Sequence, residues 1–220
     1  MFSRMPIVGR HLPPGALCLT YDDGPGEQTA ALAELLYDLG VPAAFFLVGR
    51  EVEKQPAIVE QLRRWGHLVG NHTYSHPGLV KCLTEGGDAV AEIERTDALL
   101  NCDEVIRYLR PPYGNWNETV ADALNRSPLA THYIGPIHWD ICAEDWTFWE
   151  RGDSARACAD AYLAAIEEAQ HGIILFHDSS ADEPIARANN RSHEVAAQLI
   201  PTLLARYRFV QLDDALANRP

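Results

Sequence analysis

Short apolar runs rich in β-branched and aromatic residues alternate along this chain with amphipathic stretches, and that alternation limits its folds more than any other feature. Read as strands, the runs are ALCLTY (16–21), AAFFLV (43–48), HLVGN (67–71), VIRYLR (105–110), YIGPIHW (133–139), GIILFH (172–177) and RFVQL (208–212). Helical patterns lie between them: EQTAALAELLYDLG (27–40), AIVEQLRRWG (57–66), DAVAEIERTDALL (88–100) and ARACADAYLAAIEEAQHG (155–172). Three of the four close on glycine, a common helix stop. Repeated β-α units require parallel strands with helices packed outside. The chain is therefore expected to be one α/β domain spanning residues 1–220, a distorted (β/α)-barrel of about seven parallel strands.

The 220 residues suit one sizeable core, and no Ser/Gly-rich or Pro-rich linker divides them. No GxGxxG or GxxxxGK[ST] follows a strand, which removes the usual dinucleotide and P-loop readings. A formal charge of -13 argues against nucleic acid or an anionic membrane as partner. The longest apolar runs are too short to span a bilayer, and MFSRMPIVGRHLPPG lacks the apolar core of a secretory signal. Five cysteines at scattered spacings, Cys18, Cys82, Cys102, Cys142 and Cys158, read as ordinary thiols of a reducing compartment. A cytoplasmic location is the expectation; oligomeric state is left open.

The polar groups crowd where strands end. Asp22 and Asp23 follow the first strand, His72 and His76 the third, Arg110 and Tyr113 the fourth, Asp140 and Asp145 the fifth, His177 and Asp178 the sixth. In a β/α barrel those ends form one face, so groups scattered in sequence would converge. His72 and His76 are four apart, and Pro77 disfavours α geometry at His76, so a single turn or loop would aim both imidazoles at one point. With a carboxylate from another strand end they would make a catalytic metal site with open positions. Of the adjacent Asp22 and Asp23, one can then face the metal and the other its bound water, and the cation removes their mutual repulsion. Gly24-Pro25-Gly26 supplies a tight turn of little bulk beside them.

The pattern resembles the NodB-type polysaccharide deacetylases, carbohydrate esterase family four, in a layout close to the chitooligosaccharide deacetylases. TYDDGP (20–25), HTYSH (72–76), RPPYG (110–114), DW (145–146) and LFHD (175–178) match its five motifs in order. The resemblance implies a NodB homology domain that removes N-acetyl groups from N-acetylglucosamine-containing oligo- or polysaccharides of chitooligosaccharide or peptidoglycan type. It implies that Asp23, His72 and His76 bind one divalent metal ion, zinc first, with cobalt, nickel, manganese or iron as alternatives. By the same resemblance Asp22 would be the base acting on the metal-bound water, Arg110 would orient it, and the Tyr113 N–H would stabilise the oxyanion. Trp146 and Leu175 would wall the acetyl pocket, and His177 would protonate the departing amine.

One position departs from that pattern: Cys142 stands where the fourth motif usually has its first aspartate. A neutral thiol cannot raise a histidine's pKa as an anion does, so Asp140, Asp145 or Asp178 must supply the charge, or His177 is a poorer acid. Alternatives to N-deacetylation are a deformylase or acetylxylan esterase on another glycan, and a glycan-binding protein on a decayed deacetylase scaffold. His11, His67, His132, His138, His171 and His193 read as surface or core histidines. Trp116, Trp139 and Trp149 read as core or groove-wall aromatics, with Trp116 a candidate sugar platform. The segment 179–194 reads as a long polar loop beside the site that could shape substrate choice.

Overall fold

The computed structural model describes residues 1–100 and 106–217. Its strands are β1 (Ala16–Asp22), β2 (Ala43–Leu47), β3 (Leu68–Asn71), β4 (Arg107–Tyr108), β5 (Tyr133–Ile134), β6 (Gly172–His177) and β7 (Arg208–Phe209). Every pairing among them is parallel. The main sheet runs β3-β2-β1-β6, β7 joins the start of β1, and β4 and β5 pair separately. Single bridges, Asn71 to Leu109 and Ile141 to Ile174, tie the two sheets together, so the barrel is distorted and its ladder discontinuous.

β1, β2 and nearly all of β6 are buried on both faces, as helix-covered parallel strands must be. Along β1, Leu17, Leu19 and Tyr21 enter the larger core beneath the helices, where Tyr21 stacks on Phe45 at 5.2 Å and Phe176 at 5.5 Å. Burying such rings stabilises by about 1.5–3 kcal/mol each. The alternate residues Ala16 and Cys18 face the barrel interior, and Thr20 and Asp22 continue that face to the strand end. The ladder sets Asp22 opposite Phe46 on one side and His177 on the other.

β4 and β5 are much shorter than the runs 105–110 and 133–139. Pro111, Pro112 and Pro136 carry no N–H for a ladder, so pairing dwindles to isolated bridges at Leu109 and Ile137. Val105 and Cys102 lie outside the described residues. The four anticipated helices form at Thr29–Asp38, Ala57–Arg64, Ala89–Leu100 and Ala155–Ala169. The segment 179–194 is not one loop. It contains the helix Pro184–Ala188 and the start of Ser192–Leu204, because Pro184 sits in a first turn, where no N–H is required. Among the described residues no helix is long and apolar enough to cross a membrane.

Candidate active site

His72 follows β3, and its loop is shaped by Asn71, whose buried side chain donates to Ile93 O and Tyr133 OH and accepts the Thr73 N–H at 2.9 Å. Glu92 holds the next turn through the N–H groups of Tyr74 and Ser75 and the Ser75 hydroxyl. Thr73 and His76 take positive φ of 67° and 64°, a conformation that non-glycine residues adopt only when their surroundings enforce it. HTYSHP is therefore a bent loop, as Pro77 requires.

His72 Nε2 lies 3.4 Å and His76 Nε2 3.1 Å from Asp23 Oδ1. Both other ring nitrogens are engaged: His72 Nδ1 with Arg110 O at 2.8 Å, His76 Nδ1 with Asp182 Oδ2 at 2.6 Å. An Nδ1–H donated to each oxygen acceptor leaves each Nε2 lone pair aimed at the carboxylate. Such a donor set needs a cation between its members. Among the described residues these three buried side chains are the one His/Cys/Asp/Glu group whose ligand atoms lie mutually within 4.8 Å, and they fit a divalent ion. Without one, protons serve: burial opposes charge on His76, but Asp23 and Asp182 raise its pKa. Burial likewise opposes the Asp23 anion, and the two imidazoles hold its pKa well below the usual carboxylate range. Asp23 itself has φ 72°, which turns its carboxylate off the strand direction, and its Oδ2 accepts the Ala181 N–H at 3.0 Å.

Asp22 points inward, where Arg110 Nη1 donates to its Oδ1 at 2.7 Å and to Thr20 Oγ1 at 2.8 Å. The guanidinium is fully buried, donates further to Ile137 O and His138 O, and stacks on Phe46 with its carbon 4.3 Å from the ring centroid. Asp22 Oδ2 remains, 3.7 Å from His72 Nε2. Behind the turn, a Cβ on Gly24 would stand 2.2 Å from Asp178 Oδ2, so only glycine fits.

Asp145 settles which acid faces His177. Its Oδ1 pairs with His177 Nδ1 at 2.7 Å and its Oδ2 accepts the His177 main-chain N–H at 2.7 Å. Burial works against the imidazolium, yet Asp145, with smaller help from Asp23 and Asp22, pushes the pKa up to about 10. A divalent cation in the cradle would subtract from that rise. Asp178 instead hydrogen-bonds Thr29 Oγ1, and burial raises it to about 7. Asp140 does not belong to this face: its Oδ2 accepts the N–H groups of Gly9 and Ile173 at the beginning of β6, the opposite barrel end. The run YIGPIHW ends before Asp140, but the chain reverses past the bridge at Ile137, so its strand-end position in sequence misleads. The Cys142 thiol lines the pocket and is pushed up to about 11 by burial, so it stays neutral.

These groups open on a pocket of about 630 Å³, a size suited to a small ligand or a sugar unit. Tyr113, Trp146 and Leu175 line it, together with Trp139. Tyr113 is the most exposed of these, has φ 58°, and sets its ring edge-on to His76 at 4.7 Å. Trp149 is core, while Trp116 donates to Ser3 O and packs near Phe2, away from the pocket. His138, half-buried, is lowered to about 4 by that desolvation and by the Arg110 charge. Asp182 escaped the sequence reading: it accepts from His76, Tyr113 OH and Arg50, yet SSADEP offers no spacing that marks it.

The family model for polysaccharide deacetylases matches residues 9–132. A chitooligosaccharide deacetylase from Rhizobium leguminosarum bv. trifolii is 35% identical over 191 residues, 85% of this chain and 81% of that protein. A peptidoglycan-N-acetylglucosamine deacetylase from Bacillus cereus is 35% identical over 133 residues, 59% of this chain and 46% of that one. Among solved structures, the Bc1960 peptidoglycan N-acetylglucosamine deacetylase superposes with a TM-score of 0.73 at 29% identity, covering 92% of this chain and 88% of its own.

Proposed function

Because the chain belongs to the polysaccharide deacetylase family, we propose that it hydrolyses the N-acetyl groups of N-acetylglucosamine-containing glycans, chitooligosaccharides before peptidoglycan. The observation that carries this reading is that Asp22, backed by the buried Arg110, and His177, backed by the buried Asp145, line one pocket with the Asp23, His72, His76 cradle. The longer relative coverage by chitooligosaccharide deacetylases favours that substrate class.

Asp23, His72 and His76 would hold the ion, with zinc favoured by a set of two imidazoles and one carboxylate. When bound, the ion supplies a Lewis acid for the carbonyl oxygen and makes water more acidic. Asp22, held by Arg110 with Oδ2 directed at the cradle, takes the proton of the attacking water. The Tyr113 N–H serves the oxyanion: the turn's own hydrogen bonds engage the next two N–H groups, Gly114 and Asn115. Leu175 and Trp146 enclose the acetyl methyl. His177, its Nδ1 tied to Asp145, presents Nε2 to the nitrogen, protonates it as the C–N bond breaks, and acetate and a free amine depart. The described thiols Cys18, Cys82, Cys142 and Cys158 are all unpaired, which supports a cytoplasmic setting.

Purified protein supplied with zinc or cobalt should release acetate from N-acetylglucosamine oligomers, measured by enzyme-coupled acetate assay. Acetate from acetylated xylan and none from any oligomer would replace this reading with an esterase. Asp145→Asn gives a sharper test of the acid. The His177 pKa lies above its ordinary value, up to about 10 before the bound ion lowers it, so the proton is present at neutral pH and lost on the alkaline side. Without the Asp145 charge, burial pushes that pKa downward, and the alkaline limb of kcat/KM should move to lower pH. An unmoved limb would assign the acid to another group.

A further inference from the structure

We propose that Asp182 is a positioning residue of the metal centre, fixing the tautomer and aim of His76 and joining that ligand to the Tyr113 turn. The proposal rests on the reading of Asp23, His72 and His76 as metal ligands. The two histidines are held by different means. His72 gives its Nδ1–H to a main-chain carbonyl, Arg110 O, whose own N–H bonds Asn71 O, so backbone pairing fixes that ring. His76 stands in a loop at φ 64°, and its Nδ1 meets only a side chain, Asp182 Oδ2, at 2.6 Å. A carboxylate accepting from Nδ1–H fixes the proton there, frees Nε2 for the metal and makes the ring a stronger donor.

The same Asp182 oxygen accepts the Tyr113 hydroxyl, and Asp182 Oδ1 accepts from Arg50 Nη2 at 3.3 Å. One carboxylate thereby links a proposed metal ligand to the Tyr113 turn at the pocket wall. The segment carrying it is anchored from both sides. Arg50 and Arg187 each donate to Ala181 O, at 2.7 and 2.9 Å, and Arg187 Nε donates to Ser180 O at 2.6 Å. Both guanidinium groups lie 3.5 Å from the buried Glu51 carboxylate. Ala181, next in the chain, donates its N–H to Asp23 Oδ2. Residues 180–182 thus support two of the three ligands, Ala181 through its main chain and Asp182 through its side chain.

Zinc affinity of the purified protein, measured by chelator competition, tests this without reference to any substrate. Asp182→Ala should weaken zinc binding by about 10–100-fold. Asp182→Asn, whose amide oxygen can still accept from Nδ1–H, should recover most of that loss. Nitrogen NMR of the His76 ring in metal-free protein, at a pH high enough for the ring to be neutral, should show one tautomer in the wild type and a mixture in Asp182→Ala; a merely structural residue would lower Tm and leave both readouts in place. Unchanged zinc affinity in Asp182→Ala overturns the proposal, and should that variant not fold, unchanged affinity in Asp182→Ser does the same. A wild type that binds neither zinc nor cobalt overturns the metal-centre reading itself, a distinct result from a wild type and variant that bind alike.

Discussion

Asp22→Asn is expected to lower kcat/KM for acetate release by about 10³-fold, roughly 4 kcal/mol of transition-state stabilisation, while zinc content stays at the wild-type level. The substitution keeps the shape of the side chain and an oxygen for Arg110 Nη1, now 2.7 Å away. What it removes is the basicity of Oδ2, the atom directed toward the cradle at 3.7 Å from His72 Nε2. Because Arg110 is buried and bonded to Thr20, Ile137 and His138 as well, the pocket should not rearrange around the amide. Initial rates together with zinc content per protein decide the matter. A variant that loses its zinc and regains the rate when zinc is added would make Asp22 a ligand instead of the base.

Asp23→Asn should show the reverse, with zinc affinity reduced by more than about 100-fold, beyond what loss of an outer-shell partner costs. The carboxylate is the only anion in the donor set, so its loss removes the one charge that directly offsets the cation. An amide at 23 must also choose between offering oxygen to the Ala181 N–H and offering it to the cation. Activity should return in part at high zinc concentration. Chelator competition and the zinc dependence of the rate check both statements, and undiminished affinity would remove Asp23 from the ligand set.

The sequence reading succeeded where chemistry and period coincide. Alternating apolar runs in β1 and β6 made the strands plain, and their ends carry Asp22, Asp23 and His177 because a parallel barrel collects strand ends on one face. The His-x-x-x-His spacing and Pro77 sufficed to foresee a loop with converging imidazoles. Failure came where a residue's place depends on a distant partner. Asp140 follows an apolar run as Asp145 does, and only the bonds to Gly9 and Ile173 place it at the other end. Asp182 sits among polar residues that look like solvent-exposed loop, and its role exists only through His76, 106 residues away in the chain. Cys142 suggested a weakened acid, yet the charge for His177 comes from Asp145, three positions later.

The ladder between β1 and β6 makes Asp22 and His177 direct Cα partners. Neighbouring strands are held about 4.7–4.9 Å apart by their hydrogen bonds, so the spacing between the proposed base and the proposed acid belongs to the sheet. Other walls of the pocket, the Tyr113 turn with Ser180, Asp182 and Glu183, are outside that sheet. Changes at a pocket-lining position such as Glu183, which holds no proposed ligand, would leave the Asp22–His177 spacing untouched, so chains of this architecture can change diet without rebuilding their chemistry.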